Sequence, residues 1–276
     1  MTDMKRLNRI IIFAAYFWIL LVTAGILISL FFPFRDAGEI HLTHVLMPPS
    51  RTYWLGSDHL GRDVFSRLMS GARISLTVGI GAVGISTVFG ILVGAVAGYF
   101  GKKTDRVLMA FTDLMLCFPS FFLILTIVAV IDQPGVWPIV FVLGATGWMG
   151  TARLVRAEIL SLKTREYVLA SRSFGAGHWH IITRHLIPNA MAPVWVAMTL
   201  GVAAAILTES GLSFLGIGVQ PPQPSWGNML TDGKDALGVA WWLLWSPGIC
   251  ILLTVASFHL IADSLRHKLN VRESDV

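Results

Sequence analysis

Four acidic residues lie in or near long apolar stretches of the sequence, where an ionisable side chain is a candidate for function. They are Asp113, Glu158, Glu209 and Asp263. Basic residues close in sequence, namely Arg106, Arg156 and Arg266, predict local ion pairs for the first, second and fourth of them. Glu209 has no such neighbour, so two roles stay open for it. It either holds the broken segment that follows it in place or lines a transport path.

The sequence contains no set of residues with the spacing of a known catalytic site. His178 and His180 alternate around Trp179 without a nearby third ligand, which predicts a polar turn and no metal site. Gly101-Lys102 lacks both the upstream glycine and the following hydroxyl of a P-loop. We therefore expect no enzyme activity and no cofactor in this chain, with any ATP bound by partner subunits.

The composition is that of an all-α integral membrane protein. Hydrophobic residues make up 55% of the chain and charged residues 13%, against roughly a quarter charged in a typical soluble domain. The formal charge of +5 comes from basic residues at the ends of apolar runs. This placement is typical of cytoplasmic membrane flanks, so the lipid membrane is the expected partner and nucleic acid is not. Both cysteines lie in apolar runs and predict packing roles.

Six apolar stretches are each long enough, at about 20 residues, to cross a bilayer as a helix. They are 10–32, 75–100, 107–131, 136–154, 190–212 and 239–262. The first is longer than a signal-peptide core and ends without a small-residue cleavage site, which predicts an uncleaved span. Basic residues in 1–9 and 266–276 predict that both termini are cytoplasmic. The five later spans, within 75–265, form the predicted core.

Three connections between the spans are predicted to lie outside. The 33–74 loop is external despite its arginines, because Asp36, Glu39, Asp58 and Asp63 can pair with some of them. A tight turn without basic residues is expected at 132–135. The 213–238 segment contains prolines and glycines that are too frequent for a spanning helix, and it is predicted to be external and partly re-entrant. Glu209, Gln220 and Trp226 are candidates for the pathway or its external gate.

Small residues recur in the second span at a spacing suited to close helix packing. Gly90, Gly94 and Gly98 are four residues apart, so they form one stripe on the helix surface. Such a stripe predicts that another helix approaches there.

The 164–189 loop is the longest polar and basic interruption in the second half of the chain. Tyr167, Ala170 and Phe174 share one helical face, and Gly175 then breaks the helix. Pro188 lies where the chain returns to apolar sequence. Six basic residues from Arg153 to Arg184 place this region in the cytoplasm. Two interpretations remain: a helix that only anchors the loop at the membrane surface, or a helix offered to a soluble partner.

The 164–189 loop resembles the cytoplasmic loop of permease subunits of ATP-binding-cassette (ABC) importers. That family's pattern is Glu-Ala-Ala, three residues, Gly, nine residues, then Ile-x-Leu-Pro. Ala170, Gly175 and Pro188 match it with the right spacing. Other positions depart from it, namely Leu169, Ser171, His185 and Ile187. The resemblance implies an ATPase-docking surface made of Glu166, Tyr167, Leu169, Ala170, Ser171, Arg172, Phe174, Gly175 and Pro188.

Two further segments, 54–76 and 211–230, are similar to the second permease of the peptide/nickel branch of that family. The resemblance implies the type I ABC importer permease fold in the bacterial inner membrane. It also implies four kinds of partner: a second homologous permease in a heterodimer, two ABC ATPase subunits, an external substrate-binding protein and the lipid bilayer. Closing of the ATPase dimer would then move the 164–189 loop and rock the spans.

The expected function is to form half of a translocation pathway for dipeptides or oligopeptides. The alternative is that the same machinery imports nickel, metal chelates or opine-like compounds. A secondary transporter or channel would require intramembrane charge pairs or inverted repeats, and neither is evident in the sequence. A membrane-embedded enzyme would require a catalytic set, and a structural scaffold would not bind ATPases.

Overall fold

A computed structural model describes residues 2–31, 36–131 and 135–274. In that part of the chain regular structure is helical, apart from one isolated bridge between Ser57 and Asp63. The α-helices are α1 (Thr2–Phe31), α2 (Val64–Phe100), α3 (Lys102–Leu116), α4 (Ser120–Ala129), α5 (Val136–Leu162), α6 (Glu166–Ser173), α7 (His178–Ile181), α8 (Ile187–Phe214), α9 (Trp226–Lys234) and α10 (Trp242–Ser274). A short 3-10 helix covers Leu42–His44, and a π-helical turn covers Ile182–Leu186.

Five helical runs within these residues are long and apolar enough to cross a membrane. They are Ile10–Ile28, Val64–Phe100, Val136–Leu162, His178–Phe214 and Trp242–Leu269. A sixth span exists if α3 and α4, which meet at a bend of 77°, are taken as one. The prediction of a multi-span helical protein is confirmed.

The third predicted span, 107–131, is wrong as one continuous helix. Pro119 has no backbone N–H to donate and disfavours helical geometry at the preceding Phe118. The chain accordingly leaves the helix after Leu116 and starts a new one at Ser120.

Two other boundaries differ from the sequence prediction. α2 begins at Val64, so the last eleven residues of the predicted 33–74 loop are helical. The Asp63 carboxylate stabilises this start because it accepts bonds from the Ser66 backbone N–H at 2.9 Å and hydroxyl at 2.6 Å. The turn predicted at 132–135 lies outside the described residues except for Gly135.

The chain divides into two compact units. The first comprises Met1–Ile80, Leu125–Val140 and Val202–Ile261, and it includes the 213–238 segment. The second comprises Gly81–Ile124, Phe141–Gly201 and Ala262–Val276, and it includes the 164–189 loop. The candidate functional residues therefore fall into two groups, one in each unit.

The glycine stripe of α2 packs against α5 within the second unit. A Cβ atom added at Gly94 would lie 2.4 Å from the Ala152 carbonyl oxygen, and one at Gly98 would lie 2.9 Å from Ile159 Cβ. A Cβ at Gly90 would meet Thr151 at 2.6 Å. The predicted close approach of another helix is confirmed, and its partner is α5.

Candidate functional site

In the second unit, α6 is attached to its surroundings by one face. Val168 is fully buried and packs in a cluster with Ile181, Ile182 and Leu186, which come from the second half of the same loop. Tyr99 and Ile159, at the ends of α2 and α5, complete the contact. Burial of these apolar side chains fixes the orientation of a helix that is only eight residues long.

The other face of α6 is open to solvent. The Phe174 side chain is 91% exposed, Leu169 is 47% exposed and Tyr167 is 42% exposed. Glu166, Ala170, Arg172, Gly175 and Pro188 are also exposed, while Ser171 is half-buried. The face predicted from Tyr167, Ala170 and Phe174 therefore forms, and it points away from the core. Exposed apolar side chains of this kind are compatible with either of the two interpretations, contact with a soluble partner or with the membrane surface.

The end of α6 requires glycine at one position. Gly175 has φ +81°, and its N–H bonds to the Arg172 carbonyl at 3.0 Å, while the Ala176 N–H bonds to the Ser171 carbonyl at 3.2 Å. This is the left-handed turn with which many helices end. Gly177, two residues later, has an ordinary φ of −66°. Gly175 therefore depends on glycine's conformational freedom, and Gly177 does not.

Gly175→Ala should lower ATP-dependent transport although open space surrounds the position. No atom lies within 4 Å of a Cβ added at either Gly175 or Gly177, but a side chain at positive φ costs about 1–2 kcal/mol. We expect Gly177→Ala to transport normally and Gly175→Asn, which tolerates this conformation, to recover most of the loss. Uptake and ATPase activity of the purified complex measure the effect. Equal activity of Gly175→Ala and Gly177→Ala would rule out a role for the turn.

Tyr99 connects α2 to the 164–189 loop and was not identified from the sequence. Its hydroxyl lies 2.8 Å from His178 Nδ1 and 3.4 Å from Arg172 Nη2. The Arg172 guanidinium also lies over the Tyr99 ring, 5.7 Å from its centroid. His178 and His180 are thus in different environments, because His180 packs against the ring of His185. The only feature of the sequence that could have indicated this link is the position of Tyr99 at the end of an apolar run.

The ion pairs of the second unit differ from those that sequence proximity predicted. Asp113 pairs with Arg153 and not with Arg106. Arg156 is bound to Asp105, with Nη2 to Oδ2 at 2.7 Å, a partner that was not predicted. The carboxylate of Asp263, expected near Arg266, lies 3.7 Å from His267. Helix packing brings together residues that are 40 and 51 positions apart, and these form the shorter contacts.

In the first unit, Glu209 is fully buried at the base of the 213–238 segment. Ser213 donates to Oε1 at 2.7 Å, and Ser75 on α2 donates to Oε2 at 3.2 Å. The Ser75 oxygen in turn accepts the backbone N–H of Trp226 at 3.2 Å. These bonds join three parts of the unit through one carboxyl group. Of the two roles left open, the geometry favours the one in which Glu209 holds the segment in place.

The other two residues predicted at the gate are held by hydrogen bonds within the first unit. Trp226 is buried and donates its ring N–H to the Leu68 carbonyl at 3.1 Å. Ser225 and Asn228 form a reciprocal capping box at the start of α9. Gln220 is half-buried and donates to the Gly216 carbonyl at 2.9 Å. Their assignment to a gate stays a prediction.

A cluster of two acids and two arginines lies beside this segment. Arg62 Nε binds Asp58 at 2.6 Å, and Arg67 lies 3.4 Å from Asp58 and 3.1 Å from Asp232 on α9. The predicted pairing of loop arginines with Asp58 is confirmed, whereas Asp232 was not foreseen as a partner. Burial raises the pKa of the Asp232 carboxyl, and the nearby Arg67, His59 and Arg62 oppose that rise. The cluster attaches the loop before α2 to the 213–238 segment.

The same cluster includes three groups at metal-ligand distance. One ligand atom each of Asp58, His59 and Asp232 lies within 4.8 Å of the others. The Asp58 oxygens already accept bonds from the Arg62 side chain and from the backbone N–H groups of Leu60 and Arg62. Two guanidinium groups therefore supply the positive charge that a cation would bring, so these residues do not fit a metal ion.

The sequence and fold match known membrane transport proteins. Residues 90–271 match the family described as "binding-protein-dependent transport system inner membrane component". The dipeptide transport system permease protein of Bacillus subtilis (strain 168) is 42% identical over 261 residues, covering 91% of this chain and 81% of that protein. The oligopeptide transport system permease protein of the same organism is 37% identical over 255 residues, covering 91% and 83%.

A solved structure supports the fold. It is a crystal structure of an amino acid ABC transporter with histidines, with a TM-score of 0.50 at 17% identity, covering 77% of this chain and 95% of that one. The resemblance inferred from the sequence motifs is confirmed, and the family implies ATPase and substrate-binding partners in addition to the membrane. The chain belongs to the family of inner membrane components of binding-protein-dependent transport systems, as an ABC transporter permease subunit and not an enzyme.

Proposed function

We propose that this permease forms half of the pathway of an ATP-driven peptide importer in a bacterial inner membrane. The Bacillus subtilis relatives named above are dipeptide and oligopeptide permeases with identities of 42% and 37% over most of the chain. They favour peptides over the metal chelates and opine-like compounds that similar machinery carries. The basic residues at both ends of the chain support cytoplasmic termini.

The complete transporter proposed here contains a second, homologous permease, two ATPase subunits and an external binding protein. A heterodimer of permeases is expected because the chain resembles specifically the second permease of its branch. The P-loop is missing from this sequence, so ATP would be bound by the ATPase subunits alone. ATP hydrolysis would then belong to the ATPase subunits and substrate selection to the binding protein, while this permease would form part of the translocation pathway.

The single observation that carries the proposed coupling is that α6 buries one face and exposes the other. One side chain, Val168, is buried in the unit, while Phe174, Leu169 and Tyr167 extend into solvent. A cleft on an ATPase subunit that takes up these three side chains would remove their apolar surface from water. We assign Glu166 to Gly175 as the docking surface on this basis.

The connection from the loop to the membrane is a continuous helical run. α7, the π turn and α8 form one run, His178–Phe214, although Pro188 and Pro193 lie within it. The π turn at Ile182–Leu186 is placed just before Pro188, where the regular helical bond to Arg184 cannot form. A displacement of the second half of the loop would therefore be passed to α8 through continuous helix.

Phe174→Ser should reduce recovery of the ATPase subunits with this chain by about tenfold, because the most exposed aromatic side chain is lost from the proposed docking surface. Leu42→Ser is the matched control, since Leu42 is also highly exposed, at 72%, but lies in the loop predicted to be external. Affinity purification from solubilised membranes, with immunoblotting for both ATPases, measures recovery.

The same experiment separates docking from simple membrane anchoring. If α6 only rests on the bilayer surface, Phe174→Ser will leave ATPase recovery equal to that of Leu42→Ser. That outcome would contradict the proposed coupling role. It would leave the chain's membership of the permease family unaffected.

A further inference from the structure

A pocket of about 520 Å³ lies in the first unit beside the first turns of α2. Polar side chains line it from two parts of the chain: Ser70, Arg73 and Thr77 on α2, and Gln223 in the 213–238 segment. Trp137, in the first turn of α5, forms an apolar wall and is 63% exposed. The volume of the pocket is in the range of sites that bind small organic molecules.

The α2 residues of the pocket occupy one helical face. Ser70, Arg73 and Thr77 are separated by three and four positions, so their side chains project in one direction. Gly71 and Ser75 lie on a different face, where they contact the backbone of Trp226. α2 thus uses one face to hold the 213–238 segment and the other to line the pocket.

Arg73 is exposed and has no ion pair among the residues that the structure describes. Arg62 and Arg67, earlier in the chain, are both bound by Asp58 and Asp232. Arg73 lies before the predicted 75–100 span and lines the pocket from its exposed end of α2. Its guanidinium is therefore available to an anionic group that enters the pocket.

We propose that this pocket binds the terminal carboxylate of a transported peptide through the Arg73 guanidinium. The inference rests on the proposed function, because a free carboxylate is the anionic group that linear peptides share whatever their sequence. A guanidinium binds a carboxylate through two parallel hydrogen bonds. The Ser70 hydroxyl and the Gln223 amide supply further donors, and Trp137 gives the last peptide residue an apolar contact.

The first test compares trialanine with its C-terminal amide as substrates. The permease is purified with its partner permease and ATPases, reconstituted in phosphatidylcholine vesicles and supplied with the binding protein. For each substrate, the uptake of the Arg73→Gln variant is expressed as a fraction of wild-type uptake. This ratio removes the selectivity of the binding protein, which is the same in both samples. We expect about a tenfold loss for the free acid, as for a charged hydrogen-bond pair, and a loss below about twofold for the amide. Arg51→Gln, at an exposed loop arginine, should change neither.

The second test detects occupancy of the pocket without relying on transport of the amide. Thr77→Cys is labelled with a methanethiosulfonate reagent in a chain whose own cysteines, Cys117 and Cys250, are replaced by alanine. Trialanine should slow labelling, and its amide should not. Adding Arg73→Gln should abolish the protection. Labelling that is unaffected by trialanine in the presence of Arg73 would overturn the proposal.

Other outcomes also overturn it. Equal losses for acid and amide would mean that Arg73 has a structural role only. A loss that appears only when phosphatidylglycerol is present would mean that Arg73 binds a lipid headgroup. If wild-type vesicles import no peptide, the proposed function is contradicted. If wild-type vesicles import peptide and Arg73→Gln lowers acid and amide uptake equally, only the proposed role of Arg73 is contradicted.

Discussion

Gly94→Val should prevent α2 from packing against α5 in the second unit. A Cβ at position 94 would lie 2.4 Å from the Ala152 carbonyl oxygen and 2.9 Å from Val155 Cβ. The first of these atoms belongs to the backbone of α5 and cannot rotate away. The two helices must therefore separate, and overpacking of this kind costs about 3 kcal/mol or more.

The measurement is the amount of folded chain in the membrane and its thermal unfolding midpoint in detergent. Gly84→Val is the matched control, because Gly84 is on the same helix and no atom lies within 4 Å of a Cβ there. The control introduces the same β-branched residue, so any effect of valine on the helix itself cancels. Similar accumulation and midpoints for the two variants would show that α2 and α5 do not pack through this stripe.

Asp58→Asn should destabilise the first unit by about 3–5 kcal/mol, as expected when one partner of a buried ion pair is removed. Asparagine still accepts the backbone bond from Leu60 but brings no charge. Arg62 and Arg67, both buried, would then share the single carboxylate of Asp232. We expect the 213–238 segment to become more accessible to protease as its attachment weakens.

Asp36→Asn is the control, since Asp36 also accepts a backbone N–H two residues later but is exposed. Replacing Arg67 with methionine in the Asp58→Asn background removes the excess positive charge and should restore part of the stability. Thermal unfolding and limited proteolysis of the purified complex report both effects. A double variant that is less stable than Asp58→Asn alone would show that charge balance is not what the cluster provides.

Much of the membrane architecture could be predicted because it depends on local composition. A stretch of apolar residues must be helical in a bilayer, since no water is present to satisfy its backbone groups. The glycine stripe from Gly90 to Gly98 follows from the same kind of reasoning, because only small residues allow backbones to approach. The break at Cys117–Pro119 was also encoded locally by Pro119, but the apolar character of the surrounding residues concealed it.

The side-chain partners could not be predicted, because they depend on which helices meet. The carboxylate of Asp113 bonds to Arg153, 40 positions away, and Arg67 bonds to Asp232, 165 positions away. In both cases the sequence offered a nearer residue of suitable charge. Separation along the chain is a poor guide to ion-pair partners, because helix packing can bring distant residues closer together than residues that are near in sequence.

The sequence by itself determined that this chain spans the membrane several times, that it contains no P-loop motif, and that the 164–189 loop has the spacing of a permease docking loop. These properties are carried by hydropathy, by a short motif and by glycine spacing, all of which are local. Only the tertiary structure decided which face of α6 is free, that Glu209 is bound by Ser75 and Ser213, and that Arg73 lines a pocket without an ion pair among the described residues. The physical reason is that burial and pairing are properties of contacts between distant segments, and such contacts exist only after the helices have packed.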